Sequence, residues 1–154
     1  GYKIYPKIVL KKYDEDLKED KFQPLVKNSK NIKIVQDAMF SSTNEVRGTS
    51  YRSRIDDPKY QFAGKTGTAQ VKRITKQDRE LDLKTLEIPY EERDHALYVA
   101  YGPYRNPRYA VSILIEHGGS GSSVAAPIAK KLFKKIIDRH QIRKDFNSKK
   151  YLDI

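Results

Sequence analysis

Two near-continuous β-prone runs, Ala96-Leu97-Tyr98-Val99-Ala100-Tyr101 and Tyr109-Ala110-Val111-Ser112-Ile113-Leu114-Ile115-Glu116, stand out in a chain otherwise broken by charge. Gly102-Pro103 and Asn106-Pro107 bracket the link between them, which predicts an antiparallel hairpin. Runs that are apolar at consecutive positions offer hydrophobic side chains to both faces of a sheet, so both faces of this hairpin are expected to be covered. A further stretch, Lys59 to Val71, alternates and then passes into small residues, and reads as another sheet strand. Downstream, Ile128, Leu132 and Ile136 repeat every four residues with Ala129, Phe133 and Ile137 beside them. Lys130, Lys131, Lys134 and Lys135 fall opposite. This is an amphipathic helix with one broad apolar stripe, and it is expected to pack across the hairpin it follows. Ser122 or Ser123 can cap it, Pro127 is tolerated in its first turn, and the polar residues after Arg143 are expected to fray.

The N-terminal part is less regular. Pro6 precedes the short β-prone run Ile8-Val9-Leu10 and confines it to an edge or a strand start. Lys11 to Lys21 has no apolar period and reads as a loop or a hairpin arm. Ile34, Val35, Ala38 and Met39 recur at helical spacing, which predicts a helix from about Asn31 to Asn44 capped by Asn28 or Ser29. Gly48 is expected to end the following turn with a positive φ, after which the chain crosses the surface to Pro58. Lys72 to Arg93, rich in charge, is expected to be an excursion with a short helix near Asp82 to Leu86. The pattern gives an α/β (α+β) class: an antiparallel sheet of about three main strands against a C-terminal helix. Within it, an N-terminal arm and helix are expected over 1–58 and the sheet and last helix over 59–143.

Composition adjusts this picture little. At 154 residues the chain can bury one core. Its formal net charge of +11 invites an anionic surface or nucleic acid as partner. The cations are scattered, however, with no aromatic-rich basic module and no zinc spacing, so a solvated coat and no nucleic-acid partner is the expectation. The absence of Cys removes disulfide and thiolate-metal chemistry. No apolar run is long enough to span a bilayer.

Chemistry concentrates in Phe62-Ala63-Gly64-Lys65-Thr66-Gly67-Thr68-Ala69-Gln70. Gly64 and Gly67 lack a Cβ, so another backbone can approach on either side of Lys65. Lys65 offers a point charge; Thr66 and Thr68 offer hydroxyls. Together they suit an anionic, peptide-like ligand. A phosphate-binding loop is excluded, because the position that must be its first glycine is Lys59 and no helix pattern starts at Thr66. Other candidates carry less. His95 and His117 stand isolated in the sequence, with no spacing that closes a metal or catalytic site, and a structural role is expected for each. Gly118 to Ser123 reads as a flexible turn rather than an anion cradle. Asp56-Asp57 and Glu91-Glu92 are adjacent in sequence, not placed as acid and base, and are expected to be solvated.

The Lys65-Thr66-Gly67 core of that stretch is the third motif of the penicillin-recognising serine enzymes. The longer stretch resembles the corresponding strand of the high-molecular-weight, monofunctional (class B) penicillin-binding proteins. Further matches follow in order: Arg93-Asp94-His95-Ala96-Leu97-Tyr98, Ala100-Tyr101-Gly102-Pro103, Asn106-Pro107, Glu116-His117-Gly118-Gly119, and Ser122-Ser123-Val124-Ala125-Ala126-Pro127-Ile128-Ala129. Gly48-Thr49-Ser50 is similar to the Gly-Thr-Ala that precedes the strand in the family. The series is most similar to the elongation-specific transpeptidases of that class, over about Gly1 to His140.

The resemblance implies a serine-type peptidoglycan D,D-transpeptidase that binds D-Ala-D-Ala stem peptides and β-lactams, needs no cofactor or metal, and works with membrane proteins of the elongation complex. It also implies a periplasmic enzyme held to the bacterial inner membrane by an anchor upstream of Gly1. Lys65 would set the electrostatics of the site, Thr66 and Thr68 would grip the ligand carboxylate, Gly67 would permit close approach, and the Thr68 N–H would supply half of an oxyanion hole. The family also needs a nucleophile in Ser-x-x-Lys, which occurs nowhere in the 154 residues, and a Ser-x-Asn motif. Ser42-Thr43-Asn44 spells the latter but lies too close to Lys65, and is expected to be a coincidence of spelling. The resemblance thus implies that 1–154 is the C-terminal portion of a transpeptidase domain, and the chain is expected to be inactive alone. Alternatives are a non-catalytic peptide- or β-lactam-binding module and, through the outer edge of Tyr109 to Glu116, self-association.

Overall fold

The computed structural model describes residues 11–12, 15–16, 23–72 and 87–150, with side chains over 23–72 and 87–142. The chain divides into two compact units, Gly1–Asp37 and Ala38–Ile154. In the first, β1 (Lys11–Lys12) and β2 (Glu15–Asp16) pair antiparallel, Lys11 opposite Asp16 and Lys12 opposite Glu15, so the hairpin-arm reading of this charged segment holds. Helix α1 (Lys30–Asn44) starts where expected, with the Asn28 side chain accepting from the Lys30 N–H at 3.0 Å. Its apolar positions do not all act as a buried stripe: Ile34 and Val35 are 65% and 57% exposed. The run Ile8-Val9-Leu10 and the helix expected near Asp82 to Leu86 lie outside the described residues.

The second unit is built on a three-stranded antiparallel sheet in the order β3 (Ala63–Ala69), β4 (His95–Gly102), β5 (Tyr109–Ile115). Register is set by β4, which pairs Lys65 with Val99 and Thr66 with Tyr98 on one side, and Val99 with Ser112 and Tyr98 with Ile113 on the other. The first strand is shorter than its sequence suggested. Lys59 and Tyr60 belong to a turn, closed by the Tyr60 N–H donating to the Asp57 carbonyl at 3.0 Å and the Lys59 N–H to the Asp57 carboxylate at 2.9 Å. An aspartate ahead of this turn wins the local backbone donors that a ladder would otherwise use.

Helix α2 (Ala126–Lys150) follows a single π-helical turn, Gly121–Ala125, and lies on the sheet. Ala129, Phe133 and Ile137 are buried with Phe62, Ala96, Tyr98, Ala100 and Ile113 in one core, and the rings of Phe62 and Phe133 stack at 4.9 Å between centroids. Four expectations need correction. The apolar stripe of α2 is narrower than the pattern implied, since Ile128 and Leu132 are 36% and 37% exposed at its margin. The cap position is Ser120, with no side-chain cap bond, and Ser122 and Ser123 fall inside the π turn. Helical backbone continues past Arg143 to Lys150. Finally, among the described residues the two faces of the hairpin are covered unequally. Ala96, Tyr98 and Ala100 are buried under α2, whereas Val99 and Leu114 on the opposite face are 46% and 54% exposed. Hydrophobicity records what a strand can bury; it does not record which segment supplies the cover.

Candidate ligand-binding edge of strand β3

Among the described residues strand β3 is an outer strand of its sheet, so one of its long edges faces away from β4. Its first half is held rigidly. Three hydroxyls meet behind it in the core: Tyr98 Oη stands 2.9 Å from Thr43 Oγ1 and 3.0 Å from Ser50 Oγ. Thr43 Oγ1 also accepts the Gly64 N–H at 3.0 Å, and Asn44 Nδ2 donates to the Phe62 carbonyl at 2.9 Å. The end of α1 is thereby pinned to the entry of β3, one residue before Lys65. Burial of the phenol raises its pKa above the ordinary 10.0, against a lowering by the hydrogen bonds from Ser50 and Thr43. Gly64 is a glycine because a Cβ there would lie 2.4 Å from Tyr98 Oη.

The second half of β3 is held from beneath. A Cβ on Gly121, in the π turn before α2, would stand 2.5 Å from the Leu97 carbonyl oxygen and 2.6 Å from that of Gly67. The start of the last helix thus presses its backbone directly against the Gly67 segment. Beyond the strand, the Asp94 carboxylate accepts the Val71 N–H at 3.3 Å, while the Asp94 carbonyl accepts the Gly119 N–H at 2.7 Å. The run from Gly118 to Ser123 is a packed connection, not a free loop.

Between these supports the polar groups of β3 come forward. Lys65 and Thr68 are exposed, and Thr66 and Gly67 are half-buried. Lys65 Nζ donates to the Thr66 carbonyl at 2.7 Å and lies 3.4 Å from Thr66 Oγ1. Thr66 Oγ1 is 3.2 Å from Thr49 Oγ1, which is 3.1 Å from Ser42 Oγ. An ammonium and a file of three hydroxyls therefore share one exposed surface. Such a group offers a cation and several neutral donors to an anion, and holds no nucleophile activated by a neighbouring base.

Sequence reading placed Lys65, Thr66, Gly67 and Thr68 together, and they are together. Ser42 and Thr49 join them only through the fold, because each lies on a segment distant from β3 in sequence. Contrary to expectation, the φ of Gly48 is not positive, and glycine is needed there because a Cβ would sit 2.4 Å from the Ser42 carbonyl oxygen. Of Ser42-Thr43-Asn44, Thr43 is wholly buried and bonded to the core, whereas Ser42 Oγ faces Thr49 at the far end of the file that leads to Lys65. The same spelling recurs in Ser29-Lys30-Asn31, exposed at the start of α1, which shows how little three residues specify. His95 and His117 are not isolated from each other. The His117 N–H donates to His95 Nδ1 at 2.9 Å, and His117 Nδ1 faces the Arg93 carbonyl at 3.1 Å, so the pair ties the ends of the β4–β5 hairpin together. Among the described residues no group of His, Cys, Asp or Glu could hold a metal ion, and no helix is long and apolar enough to cross a membrane.

The family model of the penicillin-binding protein transpeptidase domain matches residues 1–134. The chain belongs to the penicillin-binding protein transpeptidase family. Its relatives include the peptidoglycan D,D-transpeptidase MrdA of Salmonella typhimurium, 37% identical over 105 residues that make up 68% of this chain and 16% of that protein. MrdA of Haemophilus influenzae is 39% identical over 94 residues, 61% of this chain and 14% of that protein. The chain thus spans about a sixth of the length of the curated relatives it matches. Among solved structures, the penicillin-binding protein PBP2 of Pseudomonas aeruginosa in complex with WCK 5153 superposes with a TM-score of 0.58 at 30% identity, covering 79% of this chain and 23% of that one. PBP2 of Helicobacter pylori, in its complex with MreC, gives 0.58 at 32% identity, covering 72% and 18%. The three-stranded sheet backed by a C-terminal helix is accordingly the sheet-and-helix part of a penicillin-binding transpeptidase fold.

Proposed function

We propose that this chain is the C-terminal part of the transpeptidase domain of a peptidoglycan D,D-transpeptidase, and that strand β3 supplies its carboxylate-binding and oxyanion-stabilising edge. The observation that carries the reading is the exposed Lys65 ammonium lying on Thr66 within a family-matched strand. Lys65 sets a positive potential; Thr66 and Thr68 hydroxyls bind the terminal carboxylate of a D-Ala-D-Ala stem peptide or that of a β-lactam; Gly67 admits the ligand backbone. The Thr68 N–H donates to the developing oxyanion, a contribution of roughly 3 kcal/mol in acyl-transfer sites. The attacking serine belongs to a segment outside these 154 residues. Its oxygen would displace D-alanine from the stem peptide, and an amine would then take the acyl group from the serine, forming the cross-link and releasing the enzyme.

In this reading the whole protein acts on the periplasmic side of the bacterial inner membrane, joined to it by an anchor outside this chain. It works beside membrane proteins of cell elongation, and the solved complex of the Helicobacter pylori relative with MreC supports a protein partner. Neither metal nor cofactor takes part. The test is acylation by a fluorescent penicillin. The complete protein should label covalently, Lys65→Ala should slow labelling by about 100-fold, and the isolated 154-residue chain should not label. A covalent penicillin adduct on the isolated chain would overturn the account.

A second role follows from the sheet order, in which, among the described residues, β5 is an outer strand with Leu114 exposed. Self-association of the isolated chain through that edge is expected. Light scattering that finds only monomer at high concentration would dismiss it.

A further inference from the structure

We infer that Thr49 is a positioning residue that turns the Thr66 hydroxyl into a dedicated donor toward a ligand carboxylate. The inference rests on the carboxylate-binding reading of β3 and deepens it. Four polar groups stand in file: Ser42 Oγ, Thr49 Oγ1 at 3.1 Å from it, Thr66 Oγ1 at 3.2 Å from Thr49, and Lys65 Nζ at 3.4 Å from Thr66. A hydroxyl has one proton and two lone pairs, whereas an ammonium only donates. Lys65 therefore occupies one lone pair of Thr66. If Thr49 donates into the other, the Thr66 proton has no place in the file and must point out of it.

A carboxylate only accepts, so it is the ligand that a fixed outward donor suits. With the opposite polarity, Thr66 donating to Thr49, the side chain would present no proton to that ligand. Ser42 favours the first arrangement, because it can donate to Thr49 while Thr49 donates onward, and a run of bonds sharing one direction is mutually strengthening.

The backbone holds Thr49 in place for this task. The Ser50 N–H and Oγ both donate to the Ser42 carbonyl at 3.0 Å, and the missing Cβ of Gly48 lets the chain fold back onto the end of α1. Thr49 is thus exposed as a side chain yet fixed as a residue, and the half-buried Thr66 remains within reach of a ligand lying along β3.

The experiment is an NMR titration of the 154-residue chain with N-acetyl-D-alanyl-D-alanine and with the same dipeptide as its C-terminal amide. The readout is the ratio of the two dissociation constants. Wild type is expected to favour the acid. Thr49→Val should cut that preference about 3- to 10-fold, Thr49→Ser should restore it, and Thr49→Val should add nothing in a Thr66→Val background. If Thr49→Val leaves the ratio unchanged while Thr66→Val lowers it, the inference is overturned and the carboxylate site stands. If Thr49→Val weakens acid and amide alike, Thr49 merely packs, and the inference is again overturned. If wild type binds neither compound, or shows no preference, the carboxylate reading of β3 falls and takes the inference with it.

Discussion

Tyr98 Oη lies 2.9 Å from Thr43 Oγ1, and this buried contact joins the middle of β4 to the last turn of α1 across 55 positions of sequence. Its position is such that a Cβ on Gly64 would overlap the phenol oxygen at 2.4 Å and the ring carbon that bears it at 2.5 Å. One aromatic side chain thereby fixes both the helix end and the residue that precedes Lys65.

Tyr98→Phe should destabilise the fold by about 1–3 kcal/mol, since it removes hydrogen bonds to two buried hydroxyls. The Ser50 hydroxyl keeps the Ser42 carbonyl as its acceptor and Thr43 keeps the Gly64 N–H as its donor, so the loss is not compounded by fully orphaned groups. Urea unfolding of the two proteins measures the difference. Equal midpoints would show that the hydroxyl cluster contributes nothing.

Gly64→Ala should cost more, about 3 kcal/mol or above, because the obstructing atoms belong to a buried ring. Since they are side-chain atoms, the penalty should be partly relieved in a Tyr98→Leu background. Tyr98→Phe should not relieve it, because the ring carbons at 2.5 and 2.7 Å remain. A double-mutant cycle on unfolding free energies reads this coupling directly.

Gly121→Ala provides the contrast. Its new Cβ meets backbone oxygens of Leu97 and Gly67, and no side-chain substitution can remove those. We expect displacement of the π turn from β3, seen as large amide shifts at Gly67 and Thr68 in NMR spectra. Unchanged shifts there would mean that this backbone contact does not set the strand.

The loop before β3 is tied to α2 by the Tyr60 hydroxyl, which donates to the Asp138 carboxylate, with Lys59 Nζ 3.5 Å from the same oxygen. The Tyr60 hydrogen bond first, and the Lys59 charge after it, hold the Asp138 pKa below its ordinary 3.8. A depressed native pKa favours the fold at pH values above the unfolded one, and that contribution disappears as pH falls below 3.8 toward the native value. Asp138→Asn should therefore flatten the acid limb of the thermal stability curve while leaving its shape above pH 5 unchanged. Identical acid limbs would show that the link is idle.

How much of this was legible beforehand depends on the reach of each determinant. The β4–β5 hairpin was readable because its two runs and the Gly-Pro and Asn-Pro punctuation are local. Lys65, Thr66, Gly67 and Thr68 were readable because they are consecutive, and the family match bears out the family that the series of motifs resembles. The end of α2 was missed because polar composition signals solvent, not loss of helix. The length of β3 was missed because Asp57 captures the donors of Lys59 and Tyr60 through a turn that strand propensity does not register.

By itself the sequence determined what neighbours along a chain can determine: which segments are strand or helix, which strand carries the cation and hydroxyls, and that no Ser-x-x-Lys accompanies them. The tertiary structure decided what needs contact between distant residues. It placed Tyr98 against Gly64, Gly121 against Gly67, and Thr49 against Thr66, and among the described residues it covered one face of the hairpin more fully than the other. Periodicity reports which way a side chain points, whereas the room beside a backbone and the direction of a hydroxyl are properties of whatever the fold brings next to it.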